Sequence, residues 1–505
     1  MTSTADLTSD EGGMVRMGRV QQSERIFDGL LGIFSFSVLV MVTWPTVLTT
    51  LPLSLTNGGT GGAIWMFAIT TLGISLSNIS LAEMSSMAPA AGGQIQFASE
   101  FAPKRYQKFI SYIVGWLCVL SWQTGTASMA YLASGQVQGL IVLNNTSYHP
   151  EPWHNTVIII CIALVATLFR IYLARRLSWI ECFAFVVLYF GGFVAIIVTM
   201  VICGREKFSK PKDVFFGFQD NAGWGSIPEA MLVGQIAAIF SLLGGDAPIH
   251  MSEEVKNASL QVPRAITFTA LASFVFGFPM LVVFCFCLGD VETVLATRTG
   301  QPYIQILYNT TQSTRWTNSL VIFVIMIQIF AVMNFQGANS RQTQAFAQTN
   351  GLPFSKWLQR LPYSVWTSFA TTVALSLINV VSPTAFNLVA SLGISAIFLS
   401  YLICIVCLLI KRYRQEELLP RKYNLGRFGV WINVVAVLYL AVAFCFIFFP
   451  SGPISKFEEL NWSLFILIGV IFFSVLFYMG KGRKNYVSPA EGVEVAAGKS
   501  VVAKR

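Results

Sequence analysis

Twelve stretches of this sequence are apolar for about as long as a bilayer's hydrocarbon core is thick. They fall near residues 30–55, 63–87, 109–143, 155–173, 178–203, 228–251, 263–289, 316–338, 364–381, 384–410, 428–449 and 462–480. A helix crosses roughly 30 Å of hydrocarbon with about 20 residues. Inside lipid every backbone N–H and C=O must be satisfied within the protein, which leaves helices or closed barrels. Segments of this length predict an all-α polytopic membrane protein with twelve transmembrane helices. The third segment, 109–143, is too long for an upright span and is expected to tilt or protrude. Composition agrees: hydrophobic residues are 54% of the chain and charged residues 11%, where soluble domains carry about a quarter.

The net charge of +9 comes with no basic face or reading motif, which argues against nucleic acid as a partner. Its placement is topological. With the N-terminus inside, 26 of the 33 Lys and Arg fall in cytoplasmic segments and 7 outside. That bias predicts an even number of spans and two cytoplasmic termini. The 204–227 loop dissents with four basic residues, accompanied by Glu206, Asp213 and Asp220. The N-x-[ST] pattern occurs at Asn144, Asn145, Asn309 and Asn461, all in loops assigned outside, which makes them glycosylation candidates. Asn257, in an assigned inside loop, and Asn78, within a span, match as well. A transmembrane domain over 30–480 is therefore expected between polar tails at 1–29 and 481–505, with no cleaved leader. The nine cysteines show no metal-ligand spacing, and His149, His154 and His250 are dispersed. With no nucleophile–base pair and no phosphate loop, neither an enzyme nor a metal or organic cofactor is expected.

One span contains what an apolar helix should not. From Gln235 the chain is helical and apolar to Leu243, then meets Gly244-Gly245, Asp246, Pro248 and His250, and then Glu253 and Glu254. A helix opens at bilayer depth only beside a protected polar cavity, and a carboxylate there reads by default as functional. Two compatible readings of Asp246 are a carboxylate that faces a cavity, pairing with a substrate ammonium or carrying a proton, and a cap of the following half-helix through the N–H groups of Ile249 or His250. Phe240, one turn before the gap, could close over a ligand or simply pack. For His250 a polar contact at a helix end is favoured over a proton relay. Glu253 and Glu254 are expected at the cytoplasmic end as ion pairs of a gate or scaffold, beside Lys256 and Arg264.

Paired broken helices at matching positions of two repeats mark transporter sites. Five spans before the sixth, the first carries Ser35, Ser37, Thr43, Trp44 and Pro45, and a break is expected just before the proline. Further intramembrane polar groups are Gln123 beside Trp122, and Asn334, Gln336, Asn339 and Ser340, which serve equally as interhelical contacts or ligand contacts. Glu83 precedes the Pro89–Gly93 turn and reads as the cap of a gate.

Four stretches carry a resemblance to a family: Thr56-Asn-Gly-Gly-Thr60, Leu81 to Gln94, Gly244 to Ala258 with Val262-Pro-Arg264, and Ser340-Arg341 with Ala345-Phe-Ala347 and Asn350-Gly-Leu-Pro353. From about residue 25 to 485 the chain resembles the amino acid–polyamine–organocation superfamily, and within it fungal permeases for GABA, choline and related amines. The resemblance implies a LeuT-type fold: a 5+5 inverted repeat plus two helices, with spans 1 and 6 discontinuous around the substrate. It implies a permease that moves an amino acid or small amine with a proton, a gate aromatic near Phe240, a substrate-facing backbone from Ser241 to Gly245, and Asp246 as a proton- or amine-sensing carboxylate. Together with the intramembrane polar groups Ser37, Thr43, Trp44, Gln123 and Asn334, these residues make up the expected substrate site. The permease reading places the chain in the plasma membrane. Gate and coupling roles would fall to Asp246, Glu83, Glu253, Glu254 and Arg341. The chain departs from the family at Val38–Thr43, which lacks the usual small polar residues, at Ala347-Gln348-Thr349-Asn350 in place of an Ala-Arg-Asp-Asn gate sequence, and in span five, which has no lysine. An amine sensor of the same fold is the alternative reading.

Overall fold

The computed structural model describes residues 26–145, 147–173, 176–381, 383–454 and 460–491. Most of both tails, 1–25 and 492–505, lies outside the described residues. Every apolar segment is occupied by helix. In chain order these are α1 Leu30–Met41, α2 Thr43–Thr56, α3 Gly59–Met87, a short α4 Gln94–Phe101, α5 Gln107–Asn144 and α6 Pro152–Tyr172. Then α7 Leu177–Phe183 runs through a π-helical stretch, Ala184–Phe190, into α8 Gly191–Gly204. The second half holds α9 Ile227–Ser241, α10 Ala247–His250, α11 Ala258–Phe286, α12 Thr314–Gln348, α13 Leu361–Val381, α14 Pro383–Tyr413, α15 Gly429–Phe446 and α16 Ser463–Phe477.

Among the described residues ten helices are long and apolar enough to cross a membrane. The two apolar segments outside that number have physical reasons to be there. The Gln, Ser and Thr side chains of α5 dilute its hydropathy, although its 38 residues make it about 57 Å long at 1.5 Å per residue. The sixth segment is divided: α9 has 15 residues, about 22 Å, and α10 has four.

The first segment is divided too. Val42 adopts φ 38°, ψ 47°, the left-handed region, and separates α1 from α2. Pro45 therefore sits in the first turn of α2, where a missing N–H leaves no bond unmade. The break lies three residues before the proline that signals it. In the sixth segment the chain leaves α9 after Ser241 and passes through turns over 242–246, with Gly244 at φ 88°. These two interrupted elements lie at the centre, with α2 against α9 and α1 against α11 and α12. The window spanning α1 and α2 is 83% buried, whereas that around α16 is 17% buried, so the last helix is peripheral. Around this centre α3 packs on α11, α5 on α12 and on α14, and α6 on α13.

Both ends of the described chain lie on one face. The backbone N–H groups of Ile26 and Phe27 donate to Glu254 O at 2.9 and 3.0 Å, and Lys256 N–H donates to Phe27 O. On the same face Tyr486 is fully buried against Tyr112 and Phe346, and Val487 N–H donates to Thr349 O just past α12. The opposite face is tied by a two-residue antiparallel pairing of Asn57–Gly58 with Phe218–Asp220. There Asn57 accepts from Trp224 Nε1 at 2.8 Å and donates to Ser451 O at 3.0 Å.

Candidate functional site

Gly244 is where the sixth segment needs a residue without a side chain. Its positive φ is one reason; the other is that a Cβ there would lie 2.7 Å from Val40 Cγ1 of α1. A Cβ on Gly245 would lie 2.3 Å from the Asn78 amide of α3. The two glycines thus let the opened backbone pass between α1 and α3, and place Asp246 at the start of α10.

Asp246 is 1% exposed. It occupies the N-cap position of α10 but its side chain makes no capping bond; the backbone oxygen, not the carboxylate, receives the Ile249 N–H. The capping reading therefore does not describe this side chain. Its Oδ2 instead accepts from Gln94 Nε2 of α4 at 2.6 Å and faces His250 Nε2 at 3.4 Å. Its Oδ1 takes no part in these two contacts, and the Tyr401 side chain lies beside the carboxylate. The carboxylate lines a small cavity of about 20 Å3 together with Trp122, Ser128, Phe240, Gly244 and Phe335. That space admits a water but not a substrate.

Above it, toward the face opposite the chain ends, a larger cavity of about 360 Å3 opens between α2, α5, α9 and α14, with Thr50, Ser128, Tyr131, Ile236, Ser391 and Ser451 among its lining. This is the size of a small-ligand site. Phe240, Ser128, Ala390 and Ile394 line both cavities. Phe240 is thus one of the residues at the boundary of the outer and inner spaces. Among the described residues lining the two, Asp246 is the single charged side chain.

Toward the chain ends the path is closed. A third cavity, about 10 Å3, lies among Ala91, His250, Glu253, Glu254, Arg341 and Gln344, and Arg341 of α12 pairs with Glu254 across it. Glu254 is 1% exposed, so this pair is buried, and removing one partner would leave a charge uncompensated. Lys256, expected beside the glutamates, pairs with Asp28 at 2.6 Å instead. Glu83, fully buried near the end of α3, pairs with Arg412 and, at 3.1 Å, with Arg421, and accepts from Leu425 N–H. It joins α3 to the segment between α14 and α15.

Of the residues singled out in the sequence, Phe240, Gly244 and Asp246 are brought together around one cavity. Others lie elsewhere. Thr43 donates to Ser273 at 3.0 Å, Trp44 Nε1 to Tyr189 O at 3.2 Å, and Gln123 to Thr343 and Ser368. Ser241 donates to Ala238 O, and Asn334 Nδ2 to the fully buried Glu181 at 3.0 Å. Ser37 is fully buried with an unpaired hydroxyl. Asn461 is 8% exposed and its amide is committed to Ile447 O and Phe449 O, so a glycan there is disfavoured. Asn144 and Asn145 are exposed, and Asn309 is half-buried.

Sequence reasoning passed over Gln94, Ser121, Gly125, Ser128 and Phe335. A signal existed for three of them: Ser121, Gly125 and Ser128 recur at i, i+4 and i+7, a small-residue stripe on one face of α5.

Comparison with known proteins gives a consistent picture. A family model described as amino acid permease matches residues 29–473. A candidate amino acid/polyamine transporter of Macrophomina phaseolina is 30% identical over 441 residues, covering 85% of this chain and 96% of the relative. Amino-acid permease 2 of Neurospora crassa is 27% identical over 505 residues, covering 96% and 90%. The choline transporter of Saccharomyces cerevisiae is 28% identical over 458 residues, covering 88% and 79%.

Proposed function

This chain belongs to the amino acid permease family, and from that premise we propose that it carries an amino acid or small organic amine across the membrane by alternating access, with a proton as the coupled ion. The observation that carries the reading is the placement of Asp246. A buried carboxylate lies in the gap of a broken helix and lines a small cavity that shares Phe240 with a larger one, the vestibule. An ammonium group descending past Phe240 would find one anion, and its carboxylate or hydroxyl end would remain among the Ser and Thr groups of the vestibule. The names of the relatives, which speak of amino acids, polyamines and choline, agree with a cationic nitrogen as the shared feature.

The packing supports the wider reading of twelve spans in a five-plus-five repeat. Counting the interrupted elements as spans 1 and 6, the pairs α2–α9, α3–α11, α5–α12 and α6–α13 each join a span to the one five places later. The basic-residue bias supports cytoplasmic termini, so the open vestibule is assigned to the outside and the Arg341–Glu254 seal to the cytoplasm. The conformation described is then outward-facing, and transport would exchange this seal for closure above Phe240.

The test is reconstitution in liposomes with an imposed proton gradient, offering radiolabelled GABA, choline, spermidine, leucine and lysine in turn. Accumulation of one of them, abolished by collapsing the gradient, is the expected result. Binding without movement would favour the sensor, and exchange indifferent to the gradient would remove the proton from the scheme.

A further inference from the structure

His250 stands between two cavities. Its ring is fully buried, with Nε2 toward Asp246 in the central cavity and an edge on the cavity that holds Glu253, Glu254 and Arg341. Nδ1 lies 3.0 Å from the backbone oxygen of Ala91. A carbonyl oxygen can only accept, so Nδ1 carries the hydrogen. In the neutral ring Nε2 is then a bare lone pair, and it faces a carboxylate oxygen at 3.4 Å. An ionised carboxylate also only accepts. Two acceptors do not pair without a proton between them, and one proton shared between Asp246 Oδ2 and His250 Nε2 would satisfy both.

We propose that Asp246 and His250 form one proton-holding unit whose loading is tied to closure of the cytoplasmic seal, with His250 relaying the proton from the substrate cavity to the seal. The proposal rests on the proton-coupled reading above. The tie is the Ala91 contact. A Cβ on Gly93 would lie 2.8 Å from His250 Cε1, so the ring is seated against the 91–93 turn and feels its movement. While the turn is in place, Nδ1–H donates to Ala91 O and the proton stays on the pair. When the turn withdraws, Nδ1 can release its hydrogen to water entering beside Glu253 and Glu254, while Nε2 takes the hydrogen of Asp246. The ring ends as the opposite neutral tautomer, its Nε2–H donating to an ionised Asp246, and one proton has crossed from one cavity to the other. The other groups facing the unit are Gln94, which donates to the same Oδ2, Cys118 and Tyr401 beside the carboxylate, and Trp122 edge-on to the imidazole at 5.1 Å.

Two liposome assays on purified wild type and His250→Asn separate coupling from transport, using whichever of labelled choline, GABA, spermidine, leucine or lysine the wild type moves. Asn can still donate to Ala91 O but has no second nitrogen on that path. Gradient-driven accumulation by the variant is expected to fall by about 5- to 150-fold, the usual span of a coupling between two ligands. Exchange of label between equal pools should persist with a flattened pH profile. Accumulation and a pH profile equal to the wild type would overturn the relay alone. Wild-type accumulation that ignores the proton gradient would overturn the coupled reading and the relay with it. Should the variant not fold, 15N spectra of the His149→Gln/His154→Gln protein report His250 directly. A hydrogen on Nδ1 is expected, and a neutral ring with the hydrogen on Nε2 and bare Nδ1 would refute the shared proton.

Discussion

At Gly244 a single methyl group meets two obstacles, a positive φ and the Val40 side chain. Gly289 has φ 70° with nothing within 4 Å of a hypothetical Cβ, so it carries the first obstacle without the second. A residue forced into such backbone conformations costs about 1–3 kcal/mol. Gly289→Ala should therefore lower the thermal midpoint of the purified protein modestly, and Gly244→Ala more, with transport lost only in the latter. Equal shifts would mean that the close approach to α1 carries no energy. The same residue marks what could be read in advance. A glycine pair followed by Asp and Pro announces an opened helix, so Gly244, Gly245 and Asp246 were legible from spacing alone. Val42 was not, because a β-branched residue is a poor candidate for the left-handed region, and the visible signal, Pro45, lies three residues further on. Asn334 could not be resolved between ligand and scaffold, since its partner Glu181 is 153 positions away.

The sealed end of the bundle depends on two small pieces, the turn carrying Glu254 and the last turns of α12 carrying Arg341. Breaking a buried pair by removing one partner costs about 3–5 kcal/mol, and moving a two-state equilibrium from 1:99 to 99:1 takes about 5.5 kcal/mol. Arg341→Ala should thus carry the protein most of the way to its inward-open state. A cysteine placed at Gln344, which lines the sealed cavity, should react with a water-soluble maleimide from the cytoplasmic face in the variant and hardly in the parent. Restored protection in Glu254→Arg/Arg341→Glu would assign the effect to the pair. Unchanged reactivity in Arg341→Ala would mean that the seal rests on apolar packing. The glutamates were legible as ion-pair partners from their charges at the end of an apolar segment, and Arg341 stood out only within a stretch that carries the family resemblance. Which glutamate pairs with the arginine depends on a turn whose geometry no periodicity reveals.

Twelve apolar segments were visible because hydrophobic runs are long and loops are short, and each proved helical. The matching breaks of the first and sixth segments were visible, but the contacts of α3 with α11, α5 with α12 and α6 with α13 leave no trace in a single sequence. The shared face of the two chain ends yields a topological prediction: epitope tags at both termini should be detectable in intact cells only after permeabilisation. A tag stained on unpermeabilised cells would reverse the assignment of vestibule and seal. The proposed meeting point of substrate and proton is one carboxylate, Asp246, in the gap of the sixth apolar segment. Its most direct test is uptake by Asp246→Asn beside the wild type in the same liposomes, across a range of external pH. We predict that accumulation falls by about 5- to 150-fold and no longer depends on pH. Wild-type accumulation with wild-type pH dependence in that variant would contradict the account at its centre.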